Sequence, residues 1–234
     1  MNYSLIIPIY NEGHSLKKLL KQLRKFDSSI EIIIIDDGSN DNTRSILKNQ
    51  SSFKVIRHQK NLGKGASITS GINDANNENI ILMDGDLEVE MSCIKDGMKV
   101  YENYYPNVVV NGCRWNEKSN SGFNLNTYGN FIINYIFNKL YKTKVKDVLC
   151  CVKIFEKELF NSLNITSKSF SIEIEIMSKL ALKRKKINEI DVVYNRRSSN
   201  DGKKLKFSDA WGIFWKMLEI RFNYIYASAL FFLI

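Results

Sequence analysis

The chain of 234 residues is long enough for one large domain or for a domain with a tail. Its content of 44% hydrophobic and 12% aromatic residues can bury a substantial core, which excludes global disorder. The formal net charge of +9 favours an anionic partner such as a nucleotide, a phospholipid or a nucleic acid.

The first half of the chain alternates between apolar runs and amphipathic segments. The apolar runs predict strands at 3–10, 30–37, 53–58, 79–84 and 107–112. The segments between them predict helices at 15–26, 41–49, 64–75 and 91–104, the first with four leucines on one stripe. This alternation predicts an α/β fold with a mainly parallel sheet covered on both faces. The carboxyl ends of its strands then share one edge, where such sheets bind ligands.

The pattern changes near residue 114. The polar stretch 114–130 predicts a mobile loop, and helices are predicted around 128–141, 171–183 and 207–222. A strand is predicted at 187–194, followed by a basic loop at 195–206. No linker or repeat separates these elements, so we expect one domain.

The last eleven residues, "YIYASALFFLI", are uncharged. They fall short of the roughly 20 apolar residues that span a bilayer. They fit a final strand or helix, an interfacial anchor or the start of a span, and we expect interfacial contact. At the other end, "MNYSLIIPIY" lacks the pattern of a signal peptide and reads directly into a strand.

The cysteines and histidines show no catalytic or metal-binding spacing. Cys93, Cys113 and the adjacent Cys150 and Cys151 lack the paired spacing of a zinc site, so reduced core thiols are expected. For His14 and His58, which have no Ser, Cys or second His at motif spacing, we expect surface or capping roles.

The run "IILMDGDLE" at residues 80–88 brings three acids to the end of a buried strand. If the segment stays extended, Asp84, Asp86 and Glu88 share a face and their carboxylates converge. Converging carboxylates need a cation between them or a bound proton. The segment lacks the Gly and terminal Glu spacing of an EF-hand. It therefore predicts a divalent metal site completed by substrate oxygens and water.

Polar residues also follow the first two strands. Each has a structural alternative: Pro8 as a strand terminator, Asn11 as a turn residue, and Asp36 or Asp37 as a helix cap. Their clustering on one rim favours a binding site. Lys64 in "NLGKGAS" is not a P-loop lysine, because the long glycine spacing and the following hydroxyl are missing.

The ordered motifs "IPIYNE", "IIDDGSNDNT", "NLGKGAS" and "DGDLE" together resemble the inverting nucleotide-sugar glycosyltransferases of family 2, which have the GT-A fold. The resemblance implies that Asp84, Asp86 and Glu88 bind Mg²⁺ or Mn²⁺ and, through it, the diphosphate of a nucleotide-sugar. Asp86 is then a catalytic residue. The residues implied to line the nucleotide are Pro8, Tyr10, Glu12, Asp36, Asp37, Gly63 and Lys64.

Segments in the second half of the chain make the resemblance more specific. "VVVNGCRW", "DVLCCVKIFEKELF", "SFSIEIEIM" and "VVYNRRSSNDGKKLKF" are similar to segments of polyprenyl-phosphate sugar synthases of the dolichol-phosphate mannose synthase type. This implies that Arg114, Arg196, Arg197 and Lys204 hold the acceptor phosphate at the cytoplasmic face of a membrane. The chain departs from that pattern at Leu149, at Cys151–Val152 and at Thr127, where a second phosphate-binding Arg is usual.

The acceptor class decides which residues are catalytic. A lipid phosphate is ionised near neutral pH, with a second pKa of about 6, and attacks without a protein base. A saccharide hydroxyl needs a base, for which Asp147, Glu173 and Glu175 are candidates. Glu173 and Glu175 cannot share a helical face, and we expect Glu173 to be a surface acid.

We therefore predict a donor half at 1–112, an acceptor half at 113–223 and an apolar tail at 224–234. Transfer to a saccharide hydroxyl in cell-surface glycan synthesis is the first alternative. A nucleotidyltransferase is disfavoured because "IPIYNEGHS" is not its Gly-rich, Arg-containing loop. A non-catalytic basic domain at the membrane surface remains a third alternative. No helix-turn-helix, RRM or zinc-finger pattern supports nucleic acid as a partner.

Overall fold

The computed structural model describes residues 1–48, 50–106, 108–117, 119, 125–197 and 207–231. The strands are β1 (Tyr3–Ile9), β2 (Glu31–Asp36), β3 (Lys54–Arg57), β4 (Asn79–Leu82), β5 (Val108–Cys113), β6 (Lys153–Glu156) and β7 (Lys186–Asp191). The helices are α1 (Leu16–Leu23), α2 (Thr43–Lys48), α3 (Lys64–Asp74), α4 (Ser92–Tyr104), α5 (Leu125–Tyr141), α6 (Lys157–Ser162), α7 (Ile172–Leu182) and α8 (Phe207–Phe231).

The strands form one sheet with the order β3-β2-β1-β4-β6-β5-β7. Neighbouring strands are parallel except at β6, which runs antiparallel to both β4 and β5. This confirms the predicted α/β class with a mainly parallel sheet. Strands β1, β2 and β4 end at the same edge, because the register sets Ile9 opposite Asp36 and Ile6 opposite Leu82.

Side-chain alternation along the strands divides the core between the two faces of the sheet. On one face Leu5 and Ile7 pack in a cluster with the leucines of α1 and with residues of α2 and α4. On the other face Ile6 packs in a cluster with residues of α3, α5, α6, α7 and α8. The predicted leucine stripe of α1 is fully buried, as its spacing indicated.

Four elements differ from the prediction, and one of them, the short helix α6 (Lys157–Ser162), was not predicted. Helix α5 begins at Leu125, so the predicted loop at 114–130 extends too far. Helix α8 continues past residue 222 to Phe231, so the start of the predicted tail is helical. Strand β6 was not predicted, because four residues with a charge at each end give no apolar run. None of the helices in the described ranges combines the length and apolarity needed to cross a membrane.

The four cysteines are free thiols, and Cys93, Cys113 and Cys150 are buried, as expected for core positions. Cys151 is only partly buried. His14 is exposed, in agreement with a surface role. Lys204, most of the basic loop and residues 232–234 lie outside the described residues.

Candidate active site

A cleft of about 920 Å³ opens at the carboxyl edge of the sheet. Its walls come from the segments that follow β1, β2, β4, β5 and β7, from the starts of α3 and α7, and from α5 and α8. The predicted site residues that line it are Pro8, Tyr10, Glu12, Asp37, Gly63, Lys64, Asp84, Asp86, Glu88, Arg114, Arg196 and Arg197. The predicted donor and acceptor residues thus meet in a single cavity.

The acidic segment after β4 is a turn, and the expectation that it stays extended is wrong. The strand ends at Leu82, and Leu87 adopts a left-handed backbone with φ of 64°. The turn packs tightly on β1, since a Cβ at Gly85 would lie 2.3 Å from a methyl carbon of Ile9. The three acids therefore do not project from one strand face, although all three line the cleft.

Asp84 is held by a lysine. The ammonium of Lys64 lies 2.7 Å from Oδ1 and 2.8 Å from Oδ2 of Asp84, and 2.5 Å from Oε1 of Glu173. Burial by itself lowers the pKa of Lys64, but the two carboxylates outweigh burial and raise the pKa well above its ordinary value. Lys64 therefore remains a cation inside the cleft.

Asp86 and Glu88 have different surroundings. Burial, together with the charges of Asp84 and Glu88, raises the pKa of Asp86 to about 7. Glu88 accepts hydrogen bonds from the hydroxyl of Tyr194 at 2.8 Å and from the backbone N–H of Arg197 at 3.0 Å. Glu88 thus ties the acidic turn to the segment after β7, and both of its oxygens are engaged.

A divalent cation needs carboxylate oxygens that can exchange their present partners for it. Among the described residues, no group of three or more acidic, His or Cys side chains is arranged to hold a metal ion. Asp84 and Asp86 nevertheless both line the cleft, and the raised pKa of Asp86 marks a carboxylate short of positive charge. These two acids fit a divalent cation whose other ligands come from substrate and water.

The end of β2 carries two acids with different roles. Asp36 accepts from the backbone N–H of Ser39, contacts Arg57 at 3.6 Å and is absent from the lining of the cleft. Asp37 lines the cleft and accepts from the N–H of Gly63 at 2.8 Å. Of the two predicted nucleotide contacts, the geometry therefore brings only Asp37 to the cavity.

His58 contributes to the position of Asp37. Its Nδ1 lies 2.7 Å from Oδ1 of Asp37 and its Nε2 lies 3.0 Å from the hydroxyl of Ser70. The side chain is 9% exposed, so the expected surface or capping role is wrong. His58 links the end of β2 to helix α3.

Arg114 and Asp147 form a forked ion pair. The Nε and NH2 groups of Arg114 donate to the two oxygens of Asp147 at 2.7 and 2.8 Å. Burial opposes the charge of Arg114, but Asp147 raises the pKa of the guanidinium well above its usual range. Asp147 is 1% exposed and is absent from the lining of the cleft. The geometry therefore makes Asp147 the anchor of Arg114, and the predicted base is not presented to an acceptor.

The two arginines after β7 both line the cleft but differ in their bonding partners. Arg197 pairs with Glu12 at 2.8 Å, which joins the segment after β7 to the segment after β1. Arg196 donates to the hydroxyl of Thr127 at 3.1 Å, while its Nε is buried and has no hydrogen-bond partner among the residues that the structure describes. A buried N–H without a partner is costly, so Arg196 has capacity for an anionic ligand.

Helix α7 directs its two acids to different places, as helical spacing predicted. Glu175 is fully buried and bonds to Thr166, Ser167 and Lys179. Glu173 is 6% exposed and lines the cleft. The expectation that Glu173 is a surface acid is wrong, and Glu175, predicted as a base, does not line the cavity.

Tyr194 and Cys151 are cleft residues that were not predicted. Tyr194 supports the acidic turn through Glu88, and its only signal in the sequence is its place at the end of a predicted strand. Cys151 was expected to be a reduced core thiol at a position where the chain departs from the polyprenyl-phosphate synthase pattern. No residue pattern indicates that this thiol faces the cavity, because its placement depends on how β6 enters the sheet.

The sheet and its cleft at the carboxyl edge define a protein of the GT-A fold class. A crystal structure of glucosyl-3-phosphoglycerate synthase from Mycobacterium tuberculosis, with Mn²⁺, UDP and glucosyl-3-phosphoglycerate, is similar with a TM-score of 0.71 at 14% identity. The match covers 94% of this chain and 79% of that chain. The sequence profile of Glycosyl transferase family 2 matches residues 4–163, and the chain belongs to that family.

Relatives in the family include proteins named for lipid-phosphate acceptors. The Dodecaprenyl-phosphate galacturonate synthase of Rhizobium johnstonii is 25% identical over an alignment of 174 residues that covers 70% of this chain and 51% of the relative. The Dolichyl-phosphate beta-glucosyltransferase of Dictyostelium discoideum is 28% identical over an alignment of 249 residues that covers 95% of this chain and 74% of the relative. The chain thus spans between half and three quarters of the length of these relatives.

Proposed function

We propose that this protein is an inverting glycosyltransferase that moves a sugar from a nucleotide-sugar to a polyprenyl phosphate, dolichyl or undecaprenyl, with Mg²⁺ or Mn²⁺. The observation that carries the proposal is the pairing of cleft acids with cleft arginines in one cavity. The cleft acids suit a cation bound to the leaving diphosphate, and the cleft arginines suit an acceptor that is itself anionic.

The donor side of the cleft supports a nucleotide-sugar. Asp84 and Asp86 would hold the divalent cation, which when bound neutralises charge on the leaving diphosphate. Asp37 offers a fixed carboxylate in the same cavity, held by Gly63 and His58. Helix α3 starts beside it, and the positive end of a helix favours phosphate oxygens, although the N–H of Ala66 already donates to the carbonyl oxygen of Lys168. The structural relative that carries Mn²⁺ with UDP supports the same arrangement.

The acceptor side supports a phosphate. Asp147 is committed to Arg114, and Glu175 to Thr166, Ser167 and Lys179, so neither of these two candidate bases reaches the cavity. An acceptor that is already ionised needs no base. The unpartnered Nε of Arg196 supplies a donor for phosphate oxygens. The relatives named for dodecaprenyl and dolichyl phosphates agree with this acceptor class.

The helices beside the cleft support contact with a membrane surface. Both α5 and α8 contribute to its lining and also expose large apolar side chains to solvent. On α5 these include Tyr128, Phe131, Ile132 and Tyr135, and on α8 they include Trp211, Trp215, Phe222 and Tyr226. Aromatic side chains favour the bilayer interface, so these helices would seat the cleft at the cytoplasmic face, where the lipid phosphate lies.

A saccharide hydroxyl is the second candidate acceptor, and Glu173 favours it. Glu173 is an acid in the cleft, at the start of a helix and bound to Lys64. If the acceptor is a hydroxyl, Glu173 is the base that the cavity offers.

The acceptor is tested by incubating the protein with Mn²⁺, radiolabelled UDP-, GDP- and dTDP-sugars, and either undecaprenyl or dolichyl phosphate or an oligosaccharide. The proposal expects label in the organic phase with lipid phosphate. In that assay Glu173→Gln should have the same dependence of kcat on pH as the wild type, because a phosphate acceptor needs no base. Label found only on the saccharide, with a large loss of rate in Glu173→Gln, would replace the lipid acceptor with a hydroxyl. Transfer to neither acceptor, with no nucleotide-sugar bound, would leave a non-catalytic domain.

A further inference from the structure

The ammonium of Lys64 is bound to the carboxylate of Asp84, which is a proposed ligand of the divalent cation. The ammonium is within 2.8 Å of both oxygens of Asp84 and 2.5 Å from Glu173. The side chain is 13% exposed, and the two partner carboxylates are 26% and 8% exposed. The interaction is therefore a largely desolvated triad of one cation between two anions, where charges interact more strongly than at the surface.

The backbone on either side of Lys64 is fixed. Gly63 has a φ of 98° and donates its N–H to Asp37 at 2.8 Å. A Cβ at Gly63 would lie 2.2 Å from the carbonyl oxygen of Lys168, so the two segments are in close contact. The lysine thus projects from a rigid helix start into the cleft, between the end of β4 and the start of α7.

A divalent cation cannot share Asp84 with this ammonium without strong repulsion, since both charges would lie within a few ångströms in a partly buried site. A nucleotide diphosphate changes that balance, because its oxygens offer the ammonium another anionic partner at the start of α3.

We propose that Lys64 is a tethered counter-ion that keeps Asp84 closed to divalent cations until a nucleotide diphosphate enters and takes over its ammonium. This inference rests on the proposed function of the cleft and adds a statement about how its two ligands bind. Metal and nucleotide bind as a pair, and the nucleotide-free protein binds the metal weakly. Lys64 acts through Asp84 and the diphosphate, and Glu173 holds the ammonium in place as the exchange occurs.

The test measures Mn²⁺ binding by electron paramagnetic resonance, with and without UDP or GDP, and needs no turnover. Lys64→Met should bind Mn²⁺ about tenfold more tightly than the wild type when no nucleotide is present. In the nucleotide complex Asp84 is already released from the ammonium, so the affinity for Mn²⁺ there should change little. The tightening of Mn²⁺ binding by nucleotide should therefore shrink by the same factor. Lys54→Met is the matched control, since Lys54 pairs with Asp74 at 2.8 Å and does not line the cleft. It should leave Mn²⁺ affinity unchanged.

Two further variants keep the test decisive. Lys64→Arg retains the charge and should keep the low affinity for Mn²⁺. Lys64→Gln removes the charge but can still donate to Asp84, and it should gain affinity even if Lys64→Met does not fold. If the wild type binds Mn²⁺ with nucleotide but neutral variants of Lys64 show no gain without it, the counter-ion role is overturned and the cleft assignment stands. If no variant binds Mn²⁺ under any condition, the proposed function and this inference fall together.

Discussion

Replacing Glu175 by Gln separates a structural acid from a catalytic one. Its Oε1 accepts from Thr166 N–H at 3.0 Å and from Lys179 at 2.6 Å, and its Oε2 accepts from Ser167 N–H at 2.7 Å. Burial by itself raises the pKa of Glu175, but these hydrogen bonds outweigh it and lower the pKa from 4.5 to about 2. Because one pKa unit corresponds to about 1.36 kcal/mol, the charged form stabilises the fold by about 3 kcal/mol.

We therefore expect Glu175→Gln to lower the free energy of unfolding at pH 7 by about 3 kcal/mol, and Tm by about 6–12 °C for a chain of this size. Urea unfolding and calorimetry measure both quantities. The pKa is lower in the folded state, so the stabilisation is complete above the unfolded pKa and is lost as pH falls toward 2. The difference between variant and wild type should shrink below about pH 4.5.

Unlike stability, the rate of sugar transfer should change little in this variant. Well below its Tm, Glu175→Gln should retain kcat within about threefold, because the side chain does not line the cleft. Glu158→Gln, an exposed acid on α6, is the control and should change stability by less than about 0.5 kcal/mol. A variant at Glu175 that keeps full stability but loses kcat by orders of magnitude would refute this reasoning and restore its role as a base.

Four further expectations concern the cleft, its backbone and the membrane surface. Asp86→Asn should lower kcat by about a hundredfold or more in the transfer assay without changing Tm by more than a few degrees, whereas full activity would remove Asp86 from the site. Arg196→Met should raise the KM for lipid phosphate by about tenfold and leave the KM for the donor unchanged, with Arg44→Met on α2 as the control; equal effects on both KM values would count against an acceptor role. Gly63→Ala should lower the free energy of unfolding by about 2 kcal/mol or more in urea, because φ is 98° and the new Cβ meets a backbone carbonyl oxygen at 2.2 Å. Trp211→Ser with Trp215→Ser should weaken sedimentation with anionic vesicles while UDP binding persists, and undiminished sedimentation would exclude this surface from membrane contact.

Periodicity predicted the framework because the framework follows from local burial. The runs that became β1, β2 and β4 are nearly continuous in Ile and Leu, as expected for strands covered on both faces. Strand β6 escaped the same reasoning, since its four residues include Lys153 and Glu156. It becomes a strand through pairing with β4 and β5, which lie far away in the sequence.

The site was predicted best where position in the chain determined position in space. Residues directly after β1 and β4, such as Tyr10 and Asp84, reached the cleft as expected. The arrangement within the acidic turn was not predictable, because the left-handed backbone at Leu87 has no signature in the pattern of charges. The assignment of Glu173 and Glu175 failed for a related reason. Helical spacing separates their faces, but only the packing of α7 determines which face meets the cavity.

The placement of β6 between β4 and β5 has a consequence for folding during synthesis on the ribosome. Strand β5 pairs with β6 and β7 alone, both of which are synthesised later. Until residues 153–156 leave the exit tunnel, a nascent chain carries one bare edge on β4 and an unpaired apolar segment at 108–113. Such segments recruit chaperones or each other. A protein truncated after residue 112 would keep the edge of β4 unpaired permanently, because β6 would never be made.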